Sequence, residues 1–221
     1  MKKSLILIFI ILFLDQTLKI WIKTNMYLGE EFSIIGNWCK IHFIENKGMA
    51  FGMAFGGDIG KFLLTLFRVI ASILIFVYLK RIIARKDSML TVYSMTLIFA
   101  GAVGNIIDSI FYGVIFSEST FFNIAQIFPS EGAYGTFFHG KVVDMFYLPI
   151  IDTTYPSWFP FVGGEPFSFF NAIFNIADIS ISVGVCLLVI SLIFFPKKND
   201  KANEEKIDNS IEKQEVDITE K

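Results

Sequence analysis

Charge is scarce in this chain: of 221 residues only 18% are Asp, Glu, Lys or Arg, against 54% apolar side chains. A soluble domain usually has about a quarter of its residues charged, so a soluble globular fold is excluded. Two histidines and two cysteines are present, and no H-E-x-x-H occurs, which argues against a zinc site. Cys39 and Cys186 fall in a loop and deep in an apolar run, so no disulfide is expected and both read as structural or incidental. No basic patch interleaved with aromatics is found, which excludes nucleic acid as a partner. The basic, apolar start "MKKSLILIFIILFL" has no small-x-small cleavage site after it, so it reads as a retained helix rather than a secretory signal.

What the chain does have is apolar length, with a mean hydropathy of +0.59. Four segments, approximately 4–22, 59–79, 89–111 and 172–195, have the roughly 20 apolar residues that a bilayer crossing requires. The expected fold class is an all-α membrane protein of four transmembrane helices, with a small extracytoplasmic β-hairpin or cradle and an aromatic surface loop. Residues 1–196 form the expected membrane domain, and 197–221 a charged, disordered tail.

Positive charge sets the expected orientation. Lys2 and Lys3 precede the first span, and Lys80, Arg81, Arg85 and Lys86 separate the second from the third. Lys197, Lys198 and Lys201 follow the fourth, whereas loop 112–171 holds one basic residue, Lys141. The positive-inside rule then places both termini in the cytoplasm and loops 23–58 and 112–171 outside. Within the first loop, "FSIIGNWCKIHFIEN" reads as two strands about a Gly36-Asn37 turn. The second loop is rich in Phe, Trp and Tyr and carries five of the six prolines; it reads as a membrane-surface segment or a packed outer cap.

The polar residues inside the spans are few, and an intramembrane carboxylate is costly enough to need a reason. Asp108 lies roughly 28 Å along a helix begun at Met89, at the outer boundary of the hydrocarbon. The fourth span opens with "FNIAD" at the same level, so Asn105-x-x-Asp108 and Asn175-x-x-Asp178 present two matched amide–carboxylate pairs. Asp144, in "GKVVDMFYLPI", is a third acid between them, read from position alone as either a loop residue or a site residue. Asp15 can pair with Lys19 along the first helix or with Arg68 across to the second.

Five strings recur together: "DQTLK" at 15–19, "ENKGMAFG" at 45–52, "GNIID" at 104–108, "VVDMF" at 142–146 and "FNIAD" at 174–178. In this order on a four-span frame, the chain over about residues 4–196 resembles the lipoprotein signal peptidases, the membrane aspartyl peptidases also called signal peptidase II. The resemblance implies an aspartic endopeptidase that cuts prolipoproteins just before a diacylglyceryl-modified cysteine, in a bacterial cytoplasmic membrane, with its site at the extracytoplasmic face. By motif, Asp144 and Asp178 are the implied catalytic pair; Asp15, Asn46, Asn105, Asp108 and Asn175 shape the site or bind substrate. Membrane lipids are expected neighbours, no metal or cofactor is implied, and a monomer is expected. Two departures stand out. Ser109 occupies the place where the family's N-x-x-D motif is usually followed by arginine, with Lys141 and Arg68 as candidate replacements, and the intervals from Asp108 to Asp144 to Asp178 are long. Two other classes remain open at this point, a proton-coupled membrane transporter and a metal-dependent membrane hydrolase. The clustering of acids at one membrane level disfavours the first, and the shortage of histidine disfavours a zinc form of the second.

Overall fold

The computed structural model describes residues 1–47, 57–169 and 171–194. Four helices in it are long and apolar enough to cross a membrane: α1 (Lys2–Asn25), α2 (Gly57–Ala84), α3 (Met89–Ile107, extended by further helical turns to Ile115) and α4 (Ile176–Phe194). α1, α2 and α4 expose mostly apolar side chains, as lipid-facing helices require, whereas α3 is largely covered by its neighbours. Ser88 caps α3 by accepting a hydrogen bond from the Thr91 N–H at 3.1 Å.

The fold is mostly helical rather than all-α. Strands β1 (Glu31–Ile35), β2 (Cys39–Asn46), β3 (Val142–Tyr147) and β6 (Ile173–Phe174) make an antiparallel sheet in the order β1-β2-β3-β6, and β4 (Ile151–Thr154) pairs with β5 (Pro166–Phe169). The β1–β2 hairpin turns at Gly36, whose φ of +51° lies where glycine is favoured. Asp144 therefore sits in an inner strand, not a loop. Val142, Val143 and Met145 around it are buried, and its register partner across β2 is Ile44.

The fourth helix also starts later than its apolar run suggests. Residues 173–174 extend the sheet, and the helix begins only after Asn175. The proposed 48–52 portion of the "ENKGMAFG" string and the tail 197–221 lie outside the described residues.

Small residues let α3 and α4 approach closely. A Cβ on Gly101 would lie 2.2 Å from the Ala177 carbonyl oxygen, and the Ser180 hydroxyl donates to the Leu97 carbonyl at 2.8 Å. α1 packs on α3 with its polar face inward, burying Asp15, Lys19 and Lys23 at successive i, i+4 positions. At the sheet end, Ile22 and Met26 of α1 join Phe43, Tyr112, Phe116, Val143 and Met145 in one apolar cluster. That cluster clamps the sheet onto the ends of α1 and α3. Both Cys39 and Cys186 are free thiols.

Candidate active site

The site begins with a helix cap. Asn175 precedes α4, and its Oδ1 accepts the Asp178 N–H at 2.9 Å while Asp178 Oδ2 accepts the Asn175 N–H at 3.2 Å. This reciprocal arrangement is a capping box, so the Asn-x-x-Asp spacing here is first a means of starting a helix. It also fixes the Asp178 carboxylate at the helix N-terminus.

The Asn175 amide does a second job. Its Nδ2 donates to Asp144 Oδ1 at 2.6 Å, and lies 3.1 Å from Asn105 Oδ1 and 3.3 Å from the Val143 carbonyl. Asn105 Nδ2 in turn donates to Asp178 Oδ1 at 2.8 Å. Two amides thus join the carboxylates of a strand and a helix. Asn46, at the end of β2, hydrogen-bonds to Asp144 through its exposed side chain.

Asp144 is almost fully buried, and burial first, then the nearby Asp178 charge, push its carboxyl up to about 7. Hydrogen bonds from Asn175 and Asn46, and the more distant Lys19 charge, work against that rise.

Asp108 takes a different place. Lys19 Nζ lies 2.9 Å from Asp108 Oδ2, 3.0 Å from Asp15 Oδ2 and 2.9 Å from Asn105 Oδ1, with all three charged side chains sealed from solvent. Gln16 Nε2 donates to Asp108 Oδ1 at 2.9 Å and to Asp15 Oδ2 at 3.1 Å, and the Tyr112 hydroxyl donates to Gln16 Oε1. Asp108 Oδ2 also receives the Val143 N–H at 3.3 Å, and Asp15 Oδ1 the Ala177 N–H at 2.9 Å. Each of these acids ties a helix to the backbone beside one member of the Asp144–Asp178 pair.

Residues Asp108–Tyr112 wind as a π-turn, a form often found at functional sites. Its carbonyls are taken up by loop 138–140: Gly140 N–H donates to Ser109 O and Phe138 N–H to Ile110 O. A Cβ on Gly140 would fall 1.9 Å from the Asp108 carbonyl oxygen, so this crossing needs glycine.

The Asp15 question resolves in favour of Lys19. Arg68 instead reaches Ser109, with Nη1–Oγ at 3.5 Å, and interacts electrostatically with Asp178 and Asp144. Lys141 points elsewhere, to Glu45 and Glu118 at 3.0 and 3.2 Å. Of the two cations considered for the place opposite Ser109, Arg68 is the one in contact.

All seven residues singled out in the sequence converge here. Gln16, Tyr112 and the bridging position of Lys19 were not evident from it. The polar "DQTLK" patch in an apolar helix was the available signal for Gln16 and Lys19. His42 pairs with Glu31 and His139 with Thr136, and among the described residues no group of three His, Cys, Asp or Glu side chains is arranged to hold a metal.

Helices of membrane-crossing length around a sealed polar cluster define a membrane enzyme, and solved proteins share the architecture. Two structures titled as bacterial membrane enzymes superpose with TM-scores of 0.57 and 0.56 at 25% identity, covering 88% and 90% of this chain and 95% and 93% of theirs. The family model described as signal peptidase (SPase) II matches residues 7–194. The lipoprotein signal peptidase of Porphyromonas gingivalis is 50% identical over 185 residues, 83% of this chain and 80% of that one. That of Amoebophilus asiaticus is 36% identical over 180 residues, 80% and 72% of the two chains. The chain belongs to the signal peptidase II family, and its activity is that of a peptidase that removes signal peptides from prolipoproteins.

Proposed function

We propose that Asp144 and Asp178 are the catalytic pair of this peptidase, and that the scissile bond precedes a diacylglyceryl-modified cysteine. The observation that carries the reading is the amide bridge: Asn175 binds Asp144 while capping the helix turn that holds Asp178. Two acids so placed do not both ionise cheaply, and the upward displacement of the Asp144 carboxyl supports one shared proton near neutral pH. The ionised member takes a proton from water, which attacks the scissile carbonyl; the protonated member donates to the carbonyl oxygen. Return of a proton to the leaving amine completes cleavage. Which member serves as base and which as acid is a property of the pair.

Asn105 and Asn175 hold the carboxylates. Asn46, exposed beside Asp144, binds substrate backbone. Asp15 and Asp108, bridged by Lys19, shape the frame, and Arg68 at Ser109 supplies the cation facing the pair.

Residues 1–196 act as one membrane domain of the bacterial cytoplasmic membrane, both termini in the cytoplasm and the pair at the outer face, and 197–221 as a solvated tail. The exposed Phe122, Trp158 and Phe161 then lie at headgroup depth, where a lipidated cysteine arrives laterally. The enzyme works as a monomer and uses no metal.

Cleavage of a diacylglyceryl-modified prolipoprotein by purified protein, with chelator present, tests this. Wild type is expected to cut, while Asp144→Asn and Asp178→Asn are not. Undiminished cutting by Asp144→Asn would remove Asp144 from the pair and make Asp108 the next candidate. Equal cutting of an unlipidated precursor would reject the lipid requirement.

A further inference from the structure

A cavity of about 540 Å³ opens beside the first turn of α2, apart from the aspartate pair, lined in part by Lys47, Asp58, Lys61, Glu118, Thr136 and Lys141. Its charges are not equally engaged. Lys141 is bound to Glu45 and Glu118. Lys61 is only 8% exposed, yet among the described residues no carboxylate lies within ion-pair distance of its ammonium. Its strongest charged influences are repulsive: Lys141 and Lys47 act on it ahead of Glu45 and Asp58. A largely buried lysine with no carboxylate partner among the described residues is a costly arrangement, and this one lines the cavity.

Position indicates which anion. Lys61 stands one turn into α2, and further along the same helix Leu63 and Phe67 are 56% and 67% exposed. Phe62, the next residue, stacks on His139, which lines the cavity. Charge above and exposed apolar surface below is the profile of a bilayer interface. With Lys141 neutralised, Lys47 and Lys61 against Asp58 leave one positive charge, which matches a phosphodiester.

We propose that this cavity binds the phosphate of a membrane phospholipid headgroup, with Lys61 as its principal contact and Lys47 beside it, the acyl chains following the exposed face of α2. The site rests on the membrane placement proposed above, not on the identity of the catalytic pair.

Native mass spectrometry of the full chain released from dodecylmaltoside micelles tests it. The micelles carry dioleoylphosphatidylethanolamine, dioleoylglycerol (which lacks the phosphate) or inorganic phosphate alone. Wild type and Lys61→Arg are expected to retain one phospholipid, and neither dioleoylglycerol nor free phosphate. Lys61→Met should retain it roughly tenfold more weakly, the equivalent of one charge-assisted hydrogen bond. Thr136→Glu, at the exposed rim, should weaken retention by placing a carboxylate beside the phosphate, and serves if Lys61→Met fails to fold. Undiminished retention by a folded Lys61→Met, or by Thr136→Glu, overturns the proposal. So does dioleoylglycerol held as well as the phospholipid, or inorganic phosphate bound as well as either. Failure of wild type to cut a lipidated precursor would instead sink the catalytic reading and leave this binding result intact.

Discussion

Two stretches with the same spacing, Asn105-x-x-Asp108 and Asn175-x-x-Asp178, solve opposite electrostatic problems. Asp178 stands in the first turn of α4, where free N–H groups and the helix dipole favour a carboxylate, and Asn175 completes the cap. Asp108 stands where α3 passes into a π-turn inside a continuing helix, with no free N–H groups of a helix start to hold it. It is held there by Lys19 from another helix and by Gln16. One acid is stabilised locally, and the other only by tertiary contact. In the proposed mechanism the difference also separates their uses: the locally held acid faces its catalytic partner, and the acid locked to a lysine serves as a brace.

Removing the brace should have the largest effect. Lys19→Met leaves Asp15 and Asp108 buried without their shared cation, and should destabilise the protein by about 3–5 kcal/mol. Chemical unfolding in detergent measures this. Replacing Asp108 by Asn in the same variant should recover part of the loss, and no recovery would show that the two do not act as a pair.

Asn175→Ala comes next. It removes a helix cap, for about 1 kcal/mol of stability, and at the same time the amide that holds Asp144. Its kcat should fall by about 10²-fold or more, on the scale of losing one preorganised donor. Asn175→Ser keeps a capping oxygen but has no amide to reach Asp144, so it should recover stability without activity. Recovery of both would mean that capping alone accounts for the residue.

The pH dependence is smaller and has a definite sign. A carboxyl raised from its ordinary value to about 7 binds its proton more tightly in the folded chain than in the unfolded one. Stability from this group is therefore complete below about pH 4 and lost as pH rises toward about 7. Asp144→Asn should flatten that part of a melting-temperature profile in detergent. An unchanged slope would place the titration elsewhere. The smallest effect expected is for Asn46→Ala, which deletes a hydrogen bond that favours the charged form of Asp144. The upper pH limb of cleavage should move to higher pH; movement downward would contradict the assigned contact.

The sequence alone was enough for the spans, because about 20 apolar residues can satisfy their backbone in hydrocarbon only as a helix. It was enough too for the meeting of the two Asn-x-x-Asp pairs, since helix rise sets Asn105 and Asn175 side by side on neighbouring helices. Local pattern was also sufficient for the β1–β2 hairpin. It failed where two readings of a run compete. "NAIFNIAD" is apolar enough to be helix throughout, but pairing of Ile173 and Phe174 with β3 and the Asn175 cap delay α4. "VVDMFY" becomes an inner strand only because β2 and β6 are present to flank it.

Only the tertiary structure decided which acid meets which partner. Identical Asn-x-x-Asp spacings do not reveal that Lys19, 89 positions earlier in the chain, lies against Asp108 and not Asp178. Nor do they reveal that Arg68 contacts Ser109, or that Asp144 meets the Asn175 amide. Spacing along one helix sets which side chains share a face. Which charge finds a partner, and which is left in place for chemistry, depends on the elements packed across from it.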